Sequence, residues 1–166
     1  MKINIASVLR NDGASKPFSG HIQLGIVEFM GSKIDFYSPL NIEGKVQNIG
    51  GTLEITARIS GSYRADCSRC AAVVEKILDT DLFESVENDF SDADEECLTV
   101  SGTVIDITGS IEACIFSSIP MQFLCKEDCK GLCPICGINL NEKECNCEDE
   151  VYDPRFAIFR NLSKEV

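Results

Sequence analysis

Cysteine spacing constrains the fold of this chain more than any other feature. Eight of the ten cysteines form four close pairs: Cys67/Cys70, Cys125/Cys129, Cys133/Cys136 and Cys145/Cys147. A C-x2-C pair suits a metal because the turn between its cysteines can point two thiolates at one ion. In Cys133-Pro-Ile-Cys136-Gly137 the glycine permits the positive φ with which backbone N–H groups turn toward sulfur. Four pairs predict two tetrahedral sites, and therefore two zinc ions per chain.

The lengths between the pairs predict how they combine. Eight residues separate Cys136 from Cys145, enough for a hairpin return, so the last two pairs are expected to share one ion. Cys125/Cys129 would then meet the distant Cys67/Cys70, and closing this long loop would remove unfolded-state entropy. C-x-C is an unusual donor pair for one tetrahedral ion. The sequence leaves open whether Cys145 and Cys147 are both ligands or one is a neighbouring free thiol.

The sequence evidence for the other candidate metal ligands is weaker. The single histidine, His21, is far from every cysteine pair in the sequence and is expected at the surface or in packing. Cys97 and Cys114 have no cysteine or histidine at metal spacing, so we interpret both as small apolar residues. All-sulfur coordination is typical of structural zinc, whereas catalytic zinc keeps a water position and often uses histidine or carboxylate ligands.

The cellular compartment decides between metal and disulfides. The first ten residues lack the continuous apolar core of a signal peptide, and no later run could span a bilayer. We therefore expect a cytoplasmic protein with no membrane partner. In a reducing compartment, ten cysteines are metal ligands and buried thiols more naturally than disulfides.

Negative charge is concentrated in the second half of the chain. Residues 1–86 carry 9 Lys+Arg against 10 Asp+Glu, whereas residues 87–166 carry 6 against 17, giving −1 and −11 of the total −12. Each zinc bound by four thiolates would add a further −2. This charge disfavours phosphate binding by the second half and favours a basic protein partner, although an acidic surface can also serve solubility alone.

The first half predicts an antiparallel sheet. Residues 40–46 and 53–59 alternate apolar and polar side chains around a Gly50-Gly51 turn, which is typical of a hairpin. Residues 61–67 extend the second strand, and residues 71–86 form another, so the Cys67/Cys70 knuckle is expected at the turn between them. The apolar residues expected to be buried on this last strand are Val73, Ile77, Leu82, Phe83 and Val86.

The second half of the chain is predicted to contain a loop, a short strand and a helix in succession. Residues 87–96 are predicted to form an acidic surface loop, because the glycine and final glutamate of a calcium loop are not at their required offsets. A short strand around 98–105 precedes a helix at about 106–119, capped by Asp106. The apolar face of this helix is expected to comprise Ile107, Ile111, Cys114, Ile115 and Ile119.

These patterns predict an α+β protein in two parts. Residues 1–120 form a mainly antiparallel β body with one or two helices. Residues 121–166 form a cysteine-rich, zinc-ribbon-like module that ends in a short helix starting at Asp153-Pro154. At 166 residues the chain is long enough for one ordinary core with a metal-stabilised appendage.

The cysteine-rich string itself, Cys129-Lys-Gly-Leu-Cys-Pro-Ile-Cys-Gly-Ile-Asn-Leu-Asn141, is highly specific. Preceded by the Cys67-x2-Cys70 knuckle and followed by a C-x-C pair and Asp153-Pro-Arg155, it resembles the YceD family over roughly residues 55–162. Members of this bacterial and plastid family are described as large ribosomal RNA subunit accumulation proteins. The resemblance implies a role in large-subunit ribosome assembly near a basic large-subunit protein, and it supplies no reaction.

Two classes of function follow. The first is a non-enzymatic assembly factor that binds a basic ribosomal protein or a pre-ribosomal particle. Direct rRNA contact is a further possibility through the basic residues around the first knuckle, Arg58, Arg64, Arg69 and Lys76, but basic residues scattered along strands more often form a solvated face.

The rival class is a thiol oxidoreductase that uses Cys67/Cys70 or Cys133/Cys136. A redox C-x2-C ordinarily needs a thiol of lowered pKa, commonly at a helix N-terminus within a βαβ unit. Neither pair has that setting in the sequence, and no Ser/His/Asp, paired-carboxylate or nucleotide-binding pattern is present. The assembly factor is therefore the favoured prediction.

Overall fold

The fold is α+β and mainly antiparallel sheet, as a computed structural model that describes residues 1–87 and 99–147 shows. The described residues form nine strands and two helices: β1 (Lys2–Asn4), α1 (Ala6–Leu9), β2 (Ser15–Ile22), β3 (Gly25–Phe29), β4 (Ser32–Phe36), β5 (Leu40–Ile49), β6 (Thr52–Asp66), β7 (Val73–Glu87), β8 (Thr99–Ser101), β9 (Val104–Asp106) and α2 (Thr108–Ser118). They build a six-stranded sheet and a separate three-stranded sheet.

The long hairpin of β6 and β7 organises the larger sheet. Along one edge, β6 pairs first with β5 and then with β4, and along the other edge it pairs with β7 over its whole length. Gly50 and Gly51 make the turn between β5 and β6 with φ of +60° and +90°, values that favour glycine. The predicted β5–β6 hairpin and the extension of β6 toward the first knuckle are confirmed.

The core lies on one face of this sheet because strand residues alternate sides. On β7 the buried side chains are Val74, Leu78, Leu82 and Val86. The prediction for this strand was partly wrong: Leu82 and Val86 are buried, but Val73, Ile77 and Phe83 are 68%, 81% and 63% exposed. The predicted set mixed odd and even positions, and a strand can bury only one parity against a single core.

Helix α2 packs on β7 and begins two residues later than predicted. Ile107 rather than the predicted Asp106 is the N-cap residue, and it makes no side-chain cap hydrogen bond. The Asp106 carboxylate accepts hydrogen bonds from the backbone N–H of Thr108 at 3.1 Å and from its hydroxyl at 2.5 Å. The four isoleucines of the predicted apolar face are buried. Cys114 is half-buried, with its Sγ 3.7 Å from the Thr80 hydroxyl, so it packs at the rim of the core.

The N-terminal strands complete both sheets. β1 pairs with β9 and so joins the start of the chain to the residues before α2. β2 pairs only with β5 among the described strands, which explains how it accommodates Pro17. The predicted acidic loop beyond Glu87, Cys97 and the predicted helix from Asp153 lie outside the described residues. None of the helices in the described ranges has the length and apolar character needed to span a membrane.

Candidate metal centres

The two C-x2-C knuckles have the same backbone hydrogen bonds. In the first knuckle, Cys67 N–H donates to the Ala72 carbonyl at 2.8 Å, and Ala71 N–H donates to the Cys67 carbonyl at 2.9 Å. In the second, the corresponding bonds run from Cys133 N–H to Ile138 at 2.8 Å and from Gly137 N–H to Cys133 at 2.9 Å.

The residue after each second cysteine has a positive φ: +55° at Ala71 and +72° at Gly137. The role expected for Gly137 is therefore present in the structure. The first knuckle reaches the same conformation with an alanine, which is strained there.

The first cluster contains Cys67, Cys70, Cys125 and Cys129, and all four sulfurs lie within 4.8 Å of one another. The Sγ atoms of Cys67 and Cys129 are 3.9 Å apart, and those of Cys70 and Cys125 are 3.6 Å apart. Three of the cysteines are buried, whereas Cys125 is exposed. The first knuckle, at the end of the β6–β7 hairpin, therefore meets a pair that is more than fifty residues away in the sequence.

The second cluster contains Cys133, Cys136, Cys145 and Cys147, also with all sulfurs within 4.8 Å. An antiparallel bridge between Leu132 and Asn139 closes the turn that carries Cys133 and Cys136. Both sulfurs of the C-x-C pair lie in the cluster, so the structure places no cysteine of the four pairs outside the two sets. Cys136 is exposed, and this cluster is more open to solvent than the first.

Thiol ionisation is uneven within each cluster. Burial opposes ionisation of Cys67, but N–H groups of Arg69, Cys70 and Cys125 lower the pKa of its thiol to about 6. The Cys129 sulfur raises the pKa of Cys125 to about 12. Backbone donors thus stabilise the Cys67 thiolate. Cys125 keeps its proton because the neighbouring negative sulfurs oppose another negative charge.

The second cluster follows the same rule. N–H groups of Cys136 and Ile135 lower the pKa of Cys133 to about 6, and the Cys136 sulfur is the main cause that raises the pKa of Cys147 to about 12. A bound divalent cation would relieve this repulsion and allow all four thiolates to form.

Both sets fit the coordination of zinc. A tetrahedral ion with Zn–S bonds of 2.3 Å requires sulfurs about 3.8 Å apart, and the two distances in the first cluster lie on either side of this value. A disulfide would require about 2.05 Å, and none of the nine described cysteines forms one. All-thiolate donors favour a soft or borderline metal such as zinc over magnesium or calcium.

The cysteine-rich segment packs directly on the first knuckle. Ser68 N–H donates to the Phe123 carbonyl at 2.7 Å, and Phe123 N–H donates back to the Ser68 hydroxyl at 3.1 Å. Leu132 N–H donates to the Arg69 carbonyl at 3.1 Å. Gly131, at φ +78°, lies so close that an added Cβ would be 3.1 Å from that same Arg69 oxygen. The two parts of the chain therefore share both a sulfur cluster and a hydrogen-bonded contact.

The four basic residues considered for RNA are mostly engaged within the protein. Arg58 forms a salt bridge with Asp79 at 2.5 Å. It lies on β6 about 26 Å along the strand from Asp66, so it is not beside the knuckle. Arg64 has Glu75 at 3.7 Å and the Tyr37 ring 4.2 Å below its guanidinium.

The guanidinium of Arg69 donates to the Cys129 carbonyl at 2.9 Å, so it supports the first cluster. Lys76 is half-buried on β7, opposite Tyr63. His21 is exposed on β2 and belongs to no metal-ligand group among the described residues, in agreement with its expected surface position.

Sequence reasoning missed two asparagines that connect the clusters. Asn141 Nδ2 lies 3.3 Å from Cys129 Sγ, and its Oδ1 accepts the Lys130 N–H at 2.9 Å. The Asn139 side chain accepts from both the backbone N–H and the amide of Asn141, at 3.0 and 2.8 Å. Burial opposes ionisation of Cys129, but the Asn141 amide is the main group that lowers the pKa of this thiol. The only available signal was the Asn-Leu-Asn string itself.

The fold and the site define an α+β protein with two four-cysteine clusters, one of which joins a β body to a cysteine-rich segment. The chain belongs to the family described as Large ribosomal RNA subunit accumulation protein YceD, whose profile matches residues 55–163. The match covers both clusters and about two thirds of the chain. The resemblance noted from the sequence is therefore confirmed.

Relatives are found in mycobacteria and plants. An uncharacterised protein of Mycobacterium tuberculosis is 27% identical over 130 residues, covering 75% of this chain and 62% of that protein. An uncharacterised protein of Mycobacterium leprae is 25% identical over 130 residues, 75% of this chain and 59% of the relative. The chain thus spans about three fifths of the length of these relatives.

An Arabidopsis thaliana protein is named as the chloroplastic large ribosomal RNA subunit accumulation protein YCED homolog 1. It is 34% identical over 62 residues, covering 37% of this chain and 19% of the plant protein. No solved structure matches the chain.

Proposed function

We propose that this chain is a non-enzymatic, zinc-binding factor in large ribosomal subunit assembly that supports accumulation of the large-subunit rRNA in the cytoplasm. The family description carries the biological role. The sulfur clusters carry the molecular role, because closed four-thiolate sites stabilise structure and offer no open position for a substrate. Zinc would fix the cysteine-rich segment against the end of the β6–β7 hairpin.

The proposed ligands are the eight paired cysteines, with one Zn²⁺ in each cluster. The first ion would join residues 1–120, the β body, to residues 121–166, a zinc-ribbon-like module. The second ion would order the module itself. The module docks on the body through the hydrogen bonds of Phe123 and Leu132 to the first knuckle and through the buried ring of Phe123, which packs on Tyr63 of β6.

The outward face of β7 supports a basic protein as the partner. Its exposed side chains include three apolar residues, Val73, Ile77 and Phe83, and three acidic residues, Glu75, Asp79 and Asp81. A depression of about 660 Å³ crosses the same face beside Phe83 and Asp81. A lysine- and arginine-rich segment with apolar side chains would complement this face. Glu75 and Asp79 are paired with Arg64 and Arg58 on the same face, so Asp81 is the carboxylate that would most oppose RNA phosphates.

The partner proposal is tested with the double variant Ile77→Ser/Phe83→Ser. Both side chains are exposed, so the variant is expected to fold, and Met121→Ser provides a control at another exposed apolar residue. We expect the double variant, but not the control, to lose co-sedimentation with large-subunit precursor particles and to reduce large-subunit rRNA.

Ribonuclease treatment and salt identify the contact. A protein contact should survive ribonuclease and weaken with rising salt, because the acidic face is solvent-exposed. Normal co-sedimentation of the double variant would contradict this surface, and loss of wild-type binding after ribonuclease would indicate RNA contact instead.

One observation favours the alternative of a thiol oxidoreductase. The pKa values of Cys67 and Cys133 are lowered to about 6, and a thiolate is the reactive form of cysteine. However, both residues are buried, and both knuckles are turns rather than helix N-termini. Zinc and thiol assays on freshly purified protein separate the two functions: stoichiometric zinc with protected thiols supports the structural role, and metal-free protein with one fast-reacting thiol supports redox chemistry.

A further inference from the structure

Asn141 belongs to the second metal centre by sequence and to the first by contact. It lies between Cys136 and Cys145, inside the loop that the second cluster closes. Its side chain nevertheless reaches the first cluster, where the amide nitrogen is 3.3 Å from Cys129 Sγ. Its oxygen accepts the N–H of Lys130, the residue next to Cys129. One side chain thus contacts both the sulfur of this ligand and the backbone of the next residue.

The position of Asn141 depends on the fold of the second centre. The Asn139 side chain holds the Asn141 backbone and amide, and Glu142 Oε1 accepts from Asn139 Nδ2 at 2.9 Å. Leu140 N–H donates to the Gly131 carbonyl at 2.9 Å, which fixes the turn against the segment that follows Cys129. The loop that the second metal closes is therefore the loop that aims the Asn141 amide.

We propose that Asn141 is a positioning residue that couples the two zinc centres, so that an ordered second centre increases zinc retention in the first. The inference rests on the zinc binding proposed above. An amide N–H directed at a thiolate stabilises the charged ligand and reduces the exchange of that ligand with a proton. Coupling between two binding sites is reciprocal, so zinc in the first centre also stabilises the second.

The test measures zinc loss to a chelator in the full-length, zinc-loaded chain. Alkylation of released thiols, followed by peptide mapping, assigns each loss to a cluster. Asn141→Ala should accelerate zinc loss from the first cluster by about ten-fold, as expected for loss of a hydrogen bond to a charged group. Asn41→Ala, which changes an exposed asparagine on β5, is the matched control and should behave as wild type.

Asn141→Asp keeps the contact with Lys130 and removes both hydrogen bonds that the amide nitrogen donates, to Cys129 Sγ and to the Asn139 side chain. Aspartate can still accept the Lys130 N–H, but it replaces the N–H donor to sulfur with a negative oxygen. We expect faster zinc loss than in Asn141→Ala because like charges repel. If Asn141→Asp retains zinc as wild type does, the residue only holds the Lys130 turn and the proposal is wrong.

A double-mutant cycle tests the coupling itself. Cys136→Ser removes an exposed ligand of the second centre and should accelerate zinc loss from the first. In the Asn141→Ala background the same change should add little, because the route between the centres is already absent. Full additivity would overturn the coupling while leaving two-zinc binding intact, whereas a metal-free wild-type protein would overturn both proposals.

Discussion

Gly131→Ala tests whether the cysteine-rich segment is held against the first knuckle as closely as the structure indicates. Gly131 has φ +78°, where an L-residue costs about 1–2 kcal/mol. Its new Cβ would lie 3.1 Å from the Arg69 carbonyl oxygen, which already accepts the Leu132 N–H. Displacing that oxygen would weaken a hydrogen bond with a net value of about 1 kcal/mol. The expected total loss in the free energy of unfolding is about 2–3 kcal/mol.

Gly102→Ala is the matched control. Gly102 has φ +60°, but an added Cβ there meets nothing within 4 Å, so this variant carries only the backbone cost of about 1–2 kcal/mol. The assay is chelator competition on zinc-loaded protein with mapping of the released thiols. Gly131→Ala should weaken zinc binding at the first cluster by about five-fold, because only the ~1 kcal/mol of the lost contact is specific to that cluster and 1.36 kcal/mol corresponds to ten-fold. Gly102→Ala should leave that cluster unchanged, and equal zinc binding in the two variants would refute the close contact.

The remaining predictions concern the two knuckles. Ala71→Gly should strengthen zinc binding at the first cluster by about 1–2 kcal/mol because it relieves a left-handed alanine, and Gly137→Ala should weaken the second cluster by a similar amount. Chelator titration of each cluster measures both changes, and effects of the opposite sign would contradict the equivalence of the knuckles. Cys67→Ser should release one zinc and expose its three partner thiols to alkylation, including two that are more than fifty residues away, whereas labelling of Cys70 alone would contradict the shared cluster. Cys133→Ser should release the other zinc and loosen residues 125–147 in hydrogen exchange while the β sheet keeps its protection, and global unfolding would show that the module is not independent. Large-subunit assembly should suffer more from Cys67→Ser than from Cys133→Ser, and ribosome profiles that show equal or reversed severity would contradict the importance of the first centre.

Local patterns were sufficient for part of this fold. The β5–β6 hairpin follows from alternation around Gly50-Gly51, and the isoleucines of α2 repeat at helical spacing. The grouping of the cysteines followed from loop length, because eight residues allow a hairpin return and leave the remaining pairs to combine. Each of these predictions depends on residues that are close in sequence or on a small number of possible combinations.

The sequence patterns did not predict the long-range contacts. The pairing of β1 with β9 joins segments about a hundred residues apart, and the edge strand β2 was not predicted. The exposed face of β7 was assigned incorrectly because both faces of this strand carry apolar residues, and only packing against α2 and the core selects the parity. Gly131 and Asn141 gain their roles from Arg69 and Cys129, which spacing alone does not identify as their neighbours.

The most direct test of the central claim is native mass spectrometry of freshly purified full-length protein, combined with a count of alkylated thiols before and after denaturation in chelator. The account predicts two zinc ions per chain, with the eight paired cysteines protected until the metal is removed. One ion or fewer in undamaged protein, or paired cysteines that label rapidly while zinc is retained, would contradict the assignment of two four-thiolate zinc centres.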